Sequence, residues 1–156
     1  KFDKKTRMFC NFCGGKSCKH ENWKLCRNPA IKGLHSNWVN DHIIASQRLS
    51  DRIIKEYSVD NNSKSTFKET NQFRMGVAAI INLQEPGEHP FCGDGIVAKT
   101  GFSYTPENLM NNQISFFNFF WEDLTNPSYE WCLNIVQVMQ YIKENNGKIL
   151  VHCHAG

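Results

Sequence analysis

The run "GVAAIINL" (Gly76–Leu83) constrains the fold more than any other stretch of the chain. It is short, rich in β-branched residues and apolar at nearly every position. A strand with one wet face alternates polar and apolar residues. A strand buried on both faces does not, and such strands belong to parallel sheets covered by helices. Two further segments suit the same sheet: "ISFFNFFW" (Ile114–Trp121) predicts a second strand and "KILVHC" (Lys148–Cys153) a last one. Between them Asn126-Pro127 reads as a helix opening, a cap-type residue before proline at the first helical position. Trp131, Ile135, Val138, Met139 and Ile142 form the apolar face of that helix, and Gly147 is its expected C-terminal cap. Strand, helix and strand make a βαβ unit, whose crossover is right-handed and leaves the two strands parallel and near each other. Asp123 and Cys153 then follow the carboxyl ends of two parallel strands and emerge on one sheet edge, where open α/β sheets place ligands. The expected fold class is α/β, a central and mostly parallel sheet flanked by helices.

The other segments fit around this unit. "AIKGLHSNWV" reads as short extended pieces around Gly33, and Ile53, Ile54 and Tyr57 suggest a helix from about Ser50. That helix frays into the polar "DNNSKSTFKETN", the best candidate for an insertion or a mobile loop. "QEPGEHPFCGDG" is a long, turn-rich loop. Its Glu85, Glu88 and His89 are read as solvated, with substrate contact as the alternative. His35 and His42 are read as structural, Cys132 as core packing, and "FFNFFW" as core and not as a stacking surface for nucleic acid.

A chain of 156 residues, 40% hydrophobic and 12% aromatic, can bury one real core and is not a disordered polymer. Asn28-Pro29 divides it into a basic, Cys-rich head, residues 1–28, and a domain, residues 29–156. Residues 1–27 carry eight Lys/Arg against two acids, and the rest ten against thirteen. A solvated tail is the favoured reading of the head; attraction to an acidic partner surface such as tubulin is the alternative. Cys10 and Cys13 make half of a zinc knuckle, but Cys18 and Cys26, or His20 in place of one, complete it only at irregular spacing. Zinc in the head is therefore the lesser reading against unmetallated thiols. No run of 18 apolar residues exists and the first residues show no signal-peptide h-region. With seven cysteines and no secretory signal, mostly reduced thiols in the cytoplasm are expected.

A cysteine at a strand end followed by small residues and a glycine is a plausible nucleophile position. A helix beginning after Gly156 would aim free N–H groups at the sulfur, bind an anion and depress the thiol pKa. A nearby carboxylic acid would protonate a leaving oxygen. On these grounds alone a structural cysteine is the commoner explanation.

The residues "VHCHAG" resemble the first half of the signature of the cysteine-dependent protein tyrosine phosphatases, and "FWEDL" resembles that family's mobile acid loop. "AIKGLHSNWVNDHIIA", "INLQEPGEHPFCG", "GFSYTPENLM" and "FFNFFWED" resemble, in the same order, the protein tyrosine phosphatase domain-containing protein 1 group of dual-specificity-like phosphatases. The resemblance covers about residues 29–156. It implies Cys153 as the nucleophile that forms a phosphocysteine and Asp123 as general acid, then base. It implies backbone N–H groups of His154, Ala155 and Gly156 on the phosphate, His152 as a support that tunes the cysteine, and Trp121 as a hinge for the acid loop. In some relatives a cysteine placed like Cys92 forms a reversible disulfide with the nucleophile, which guards against over-oxidation. No cofactor is required by this chemistry. The expected partner is a phosphorylated protein, and the lack of an Asn-Arg-Tyr motif favours a shallow, dual-specificity site over a deep phosphotyrosine cleft. A phosphoinositide substrate is the variant that His154 would serve only when protonated.

The sequence also departs from the family. The signature Arg belongs six positions after Cys153, beyond Gly156, and Glu122 stands where many relatives carry Pro. A sheet strand without its following helix would leave apolar surface open, so these residues are read as part of a longer protein. The alternative to an enzyme is a non-catalytic phosphatase-fold scaffold in a cytoskeletal or ciliary assembly, with the basic head as its anchor.

Overall fold

A computed structural model describes residues 29–31, 33–58, 76–90, 94–123 and 125–154. Among them lie β1 (Ser36–Trp38), β2 (Ile43–Ser46), α1 (Asp51–Ser58), β3 (Val77–Asn82), α2 (Pro106–Met110), β4 (Ser115–Asn118), α3 (Tyr129–Glu144) and β5 (Lys148–His152). The strands form one sheet in the order β1-β2-β5-β3-β4. Only the β1–β2 pair is antiparallel; β2, β5, β3 and β4 run parallel. Asn40 makes the tight β1–β2 connection, its Oδ1 accepting the N–H groups of His42 and Ile43 at 2.8 and 2.9 Å. The expected α/β class, a mostly parallel sheet with helices, is what the chain adopts.

The central strands are apolar throughout because both faces are covered. Ile44, Ile80 and Leu150 join one core with Ile53 and Ile54 of α1, Leu49, Tyr104 and Leu109. Ala79, Ile81 and Ile149 alternate onto the opposite face and meet Ile135, Val138, Met139 and Ile142 of α3. Beside α3 this second face opens into a groove of about 530 Å³ lined by His42, Ile43, Val136, Met139 and Ile149. Asp51 at the start of α1 accepts hydrogen bonds from the N–H and Oγ1 of Thr105 and from Asn108 Nδ2. It thereby ties α1 to α2 and fixes the segment that carries Tyr104.

Four expectations are corrected. The strand at 114–121 is only Ser115–Asn118, because Phe119 N–H makes its last ladder-like bond, to Asn82 O at 2.9 Å, and the chain then leaves the sheet. The α3 cap is Ser128, not Asn126: its Oγ accepts the Trp131 N–H at 3.1 Å, and Pro127 lies outside the helix. The left-handed residue after α3 is Asn146, with φ +57°, and not Gly147. Gly147 serves a different need: a Cβ there would lie 2.8 Å from both Ala78 Cβ and Ile142 Cγ2. Cys132 is exposed on α3 and is no part of the core.

Two other expectations are refined. The crossover strands β4 and β5 are parallel but not neighbours, since β3 lies between them. "FFNFFW" is core at Phe116, Phe117 and Phe119, while Phe120 is exposed. The polar stretch at 59–75, the head at 1–28 with Cys10, Cys13, Cys18 and Cys26, and also Cys92, Ala155 and Gly156 lie outside the described residues.

Candidate active site

Strand register assembles the site. Asn118, Asn82 and His152 are aligned across the carboxyl ends of β4, β3 and β5. Cys153 follows the last residue of β5 and is half-buried. Asp123 lies five residues past Asn118, the last residue of β4, and is exposed. A turn holds it, with Thr125 N–H and Oγ1 both donating to Glu122 O, at 3.1 and 2.5 Å. Half-buried Trp121 precedes this turn, but the rings that tie the chain leaving β4 to α3 are Phe119 and Phe120. They lie 5.4 and 6.4 Å from Trp131.

Behind Cys153 the polar groups form a chain. His152 is 1% exposed and Tyr104 is fully buried. Tyr104 Oη lies 2.8 Å from His152 Nε2, and His152 Nδ1 lies 3.0 Å from the Cys153 carbonyl oxygen. A carbonyl only accepts, so Nδ1 carries the proton and Nε2 accepts from the phenol. Burial pushes the Tyr104 phenol well above its ordinary value, which keeps it a donor. Burial also lowers His152 to about 4, against the opposing pull of its bond to the Cys153 carbonyl. A neutral imidazole in one tautomer therefore fixes the main chain at Cys153.

A second cluster flanks His154, which is also buried. Its Nδ1 lies 3.1 Å from Glu88 Oε2, with the side chains 7% and 16% exposed. Gln84 Nε2 donates to the same oxygen at 3.0 Å, and Glu85 N–H donates to Oε1 at 3.1 Å. Burial raises the Glu88 pKa, but the bonds from His154, Gln84 and Glu85 outweigh it and hold the carboxyl below its usual range. The ionised carboxylate makes His154 Nδ1 a donor. The 3.2 Å approach of Gln84 Nε2 to that nitrogen is then a contact between two donors, not a hydrogen bond. The His89 ring packs on His154 at 4.1 Å between centroids. Burial, with the charges of His154 and Arg48, lowers His89 to about 4. Buried Arg48 closes the cluster. Its guanidinium donates to the carbonyls of His89 and Pro90, at 3.3 and 3.1 Å, and its N–H donates to His154 O at 3.4 Å.

The loop after β3 differs from its sequence-based expectation. Glu88 is not freely solvated; it is a half-buried partner of His154. Tyr104, Arg48 and Gln84 were not singled out at all. Arg48 and Tyr104 act across 41 and 48 positions in sequence, a separation that no local periodicity encodes, and Gln84 meets Glu88 only where the loop after β3 folds back on itself. Among the described residues no group of His, Cys, Asp and Glu is arranged to hold a metal ion, and no helix is long and apolar enough to cross a membrane.

No family model matches the chain. It is 40% identical over 154 residues, 96% of its length, to the protein tyrosine phosphatase domain-containing protein 1 of Danio rerio. The proteins of the same name from Bos taurus and Mus musculus are also 40% identical, over 92% and 96% of the chain. The chain belongs to the protein tyrosine phosphatase family. It spans about a fifth of the length of these curated relatives. The phosphatase fold is also seen in the crystal structure of Tk-PTP in the active form, with TM-score 0.55 and 17% identity over 78% of this chain and 63% of that one. A mutant form of Tk-PTP superposes equally, with TM-score 0.54 and 18% identity over 78% of this chain and 61% of that one.

Proposed function

We propose that the protein containing this chain hydrolyses phosphate esters on proteins through a phosphocysteine formed on Cys153. The observation that carries this reading is the buried Tyr104–His152 pair ending on the carbonyl of Cys153, just past the end of β5. In the first step the Cys153 thiolate attacks phosphorus, the P–O bond to the substrate breaks, and protonated Asp123 gives its proton to the departing oxygen. In the second, water attacks the phosphocysteine, Asp123 takes a proton from it, and the P–S bond breaks to release inorganic phosphate and the thiolate. Charge builds on the three equatorial oxygens, so main-chain N–H groups from His154 onward are the groups the transition state asks for.

The test is turnover of para-nitrophenyl phosphate and of phosphotyrosine and phosphoserine peptides by the full-length protein. Cys153→Ser is expected to abolish turnover. Asp123→Asn is expected to lower kcat by about 10²–10⁴-fold, and more for poor leaving groups than for good ones. Turnover that survives Cys153→Ser would refute the mechanism. A folded wild-type protein without turnover would favour the scaffold reading.

A further inference from the structure

Deepening that reading, and resting on it for its kinetic consequence, we propose that Glu88 is a positioning residue. It anchors the His154 imidazole as an internal strut, so that the main chain after Cys153 is set for phosphate and the ring is not offered to substrate.

Three observations converge on this. The His154 side chain is 7% exposed and turned onto the loop after β3, where Glu88 Oε2 takes its Nδ1–H at 3.1 Å. Glu88 cannot follow a moving ring, because Gln84 Nε2 and Glu85 N–H hold both of its oxygens. The strut is braced from a third element: Arg48 holds the His154 carbonyl with its N–H and the His89 and Pro90 carbonyls with its guanidinium. His154 is thus fixed through its ring and its carbonyl, and the peptide between them has little freedom left.

Electrostatics gives the proposal a sign that can be read. A carboxylate near a phosphate site repels a dianion, so on charge alone neutralising Glu88 should improve the enzyme. A positioning role predicts the reverse, since displacing a reacting group by about 1 Å can cost on the order of 10²-fold.

The experiment compares full-length wild type with Glu88→Gln, Glu88→Ala, His154→Ala and His154→Asn, using para-nitrophenyl phosphate. Backbone hydrogen exchange of the peptide 149–154 is followed in the same proteins. Glu88→Gln is expected to lower kcat/KM roughly tenfold and Glu88→Ala roughly 30-fold, mostly in kcat, because a misplaced cradle fits the transition state worst. His154→Ala falls with Glu88→Ala, the double variant falls no further, and exchange in 149–154 quickens in each. His154→Asn, whose Nδ2 stands where Nδ1 stood, recovers at least about threefold of the alanine loss. An unchanged or raised kcat/KM in both Glu88 variants overturns the proposal, even if exchange quickens. So does an asparagine variant no better than alanine, which would make the ring itself a substrate contact. If wild type shows no turnover, the hydrolase reading falls, and exchange alone decides the strut: quickened in Glu88→Ala it stands, unchanged it falls.

Discussion

At the scale of single residues, the site is held by hydrogen bonds whose direction follows from what each group is able to donate. His152 has one proton and two partners. The Cys153 carbonyl claims the proton, and the Tyr104 phenol supplies the other bond. Tyr104→Phe removes that donor without changing the packing of a fully buried ring. It leaves a buried nitrogen unsatisfied, and a loss of about 1–3 kcal/mol is expected, measured as a shift in the urea midpoint at pH 7. An unchanged midpoint would mean that Nε2 finds another donor. The strand that ends before Cys153 was legible in the sequence because an apolar, β-branched run is a local signal. The partners of His152 and His154 were not. Tyr104 sits in "GFSYTP" and Glu88 in "PGEH", and nothing in either stretch reveals that folding brings it against the last strand.

At the scale of elements, the ends of α3 show where a pattern names an element but not its boundary. The apolar spacing from Trp131 to Ile142 sufficed to place the helix, because the face it buries against β3 and β5 is the face the periodicity draws. Its ends depended on competition between adjacent candidates. Ser128 outdid Asn126 because its hydroxyl reaches the Trp131 N–H, and Asn146 took the left-handed position one residue before the glycine. Asn146 and Gly147 should therefore respond differently to substitution. Asn146→Gly should change stability by less than about 0.5 kcal/mol, since glycine tolerates the same positive φ. Gly147→Ala should cost about 1–3 kcal/mol, because its Cβ would press on Ala78 and Ile142. Thermal or chemical denaturation of the two variants distinguishes them; equal costs would place the strained position at 146.

At the scale of the whole molecule, buried neutral histidines make stability depend on pH. The unfolded chain protonates His152 near 6.5, whereas the folded protein protonates it only near 4. Between those values the unfolded state binds more protons. The stabilisation is therefore complete above about 6.5 and is lost as pH falls through about 4. His152 alone accounts for a change on the order of 3 kcal/mol, and His89 and Glu88 shift in the same direction. Denaturant midpoints measured from pH 7.5 to 4 should fall steadily, with a shallower fall in His152→Asn; a flat profile would show that His152 charges without penalty.

The strand order also has a meaning in length. β3 separates β4 from β5. With neighbouring strands about 4.8 Å apart, the segments bearing Asp123 and Cys153 leave the sheet roughly 10 Å from each other. Five residues past Asn118 reach at most about 17 Å, so an Asp123 that serves Cys153, as proposed, has to cross the end of β3. The strand that contributes neither residue is thus the spacer between them, and its width sets the gauge of the site without touching either group.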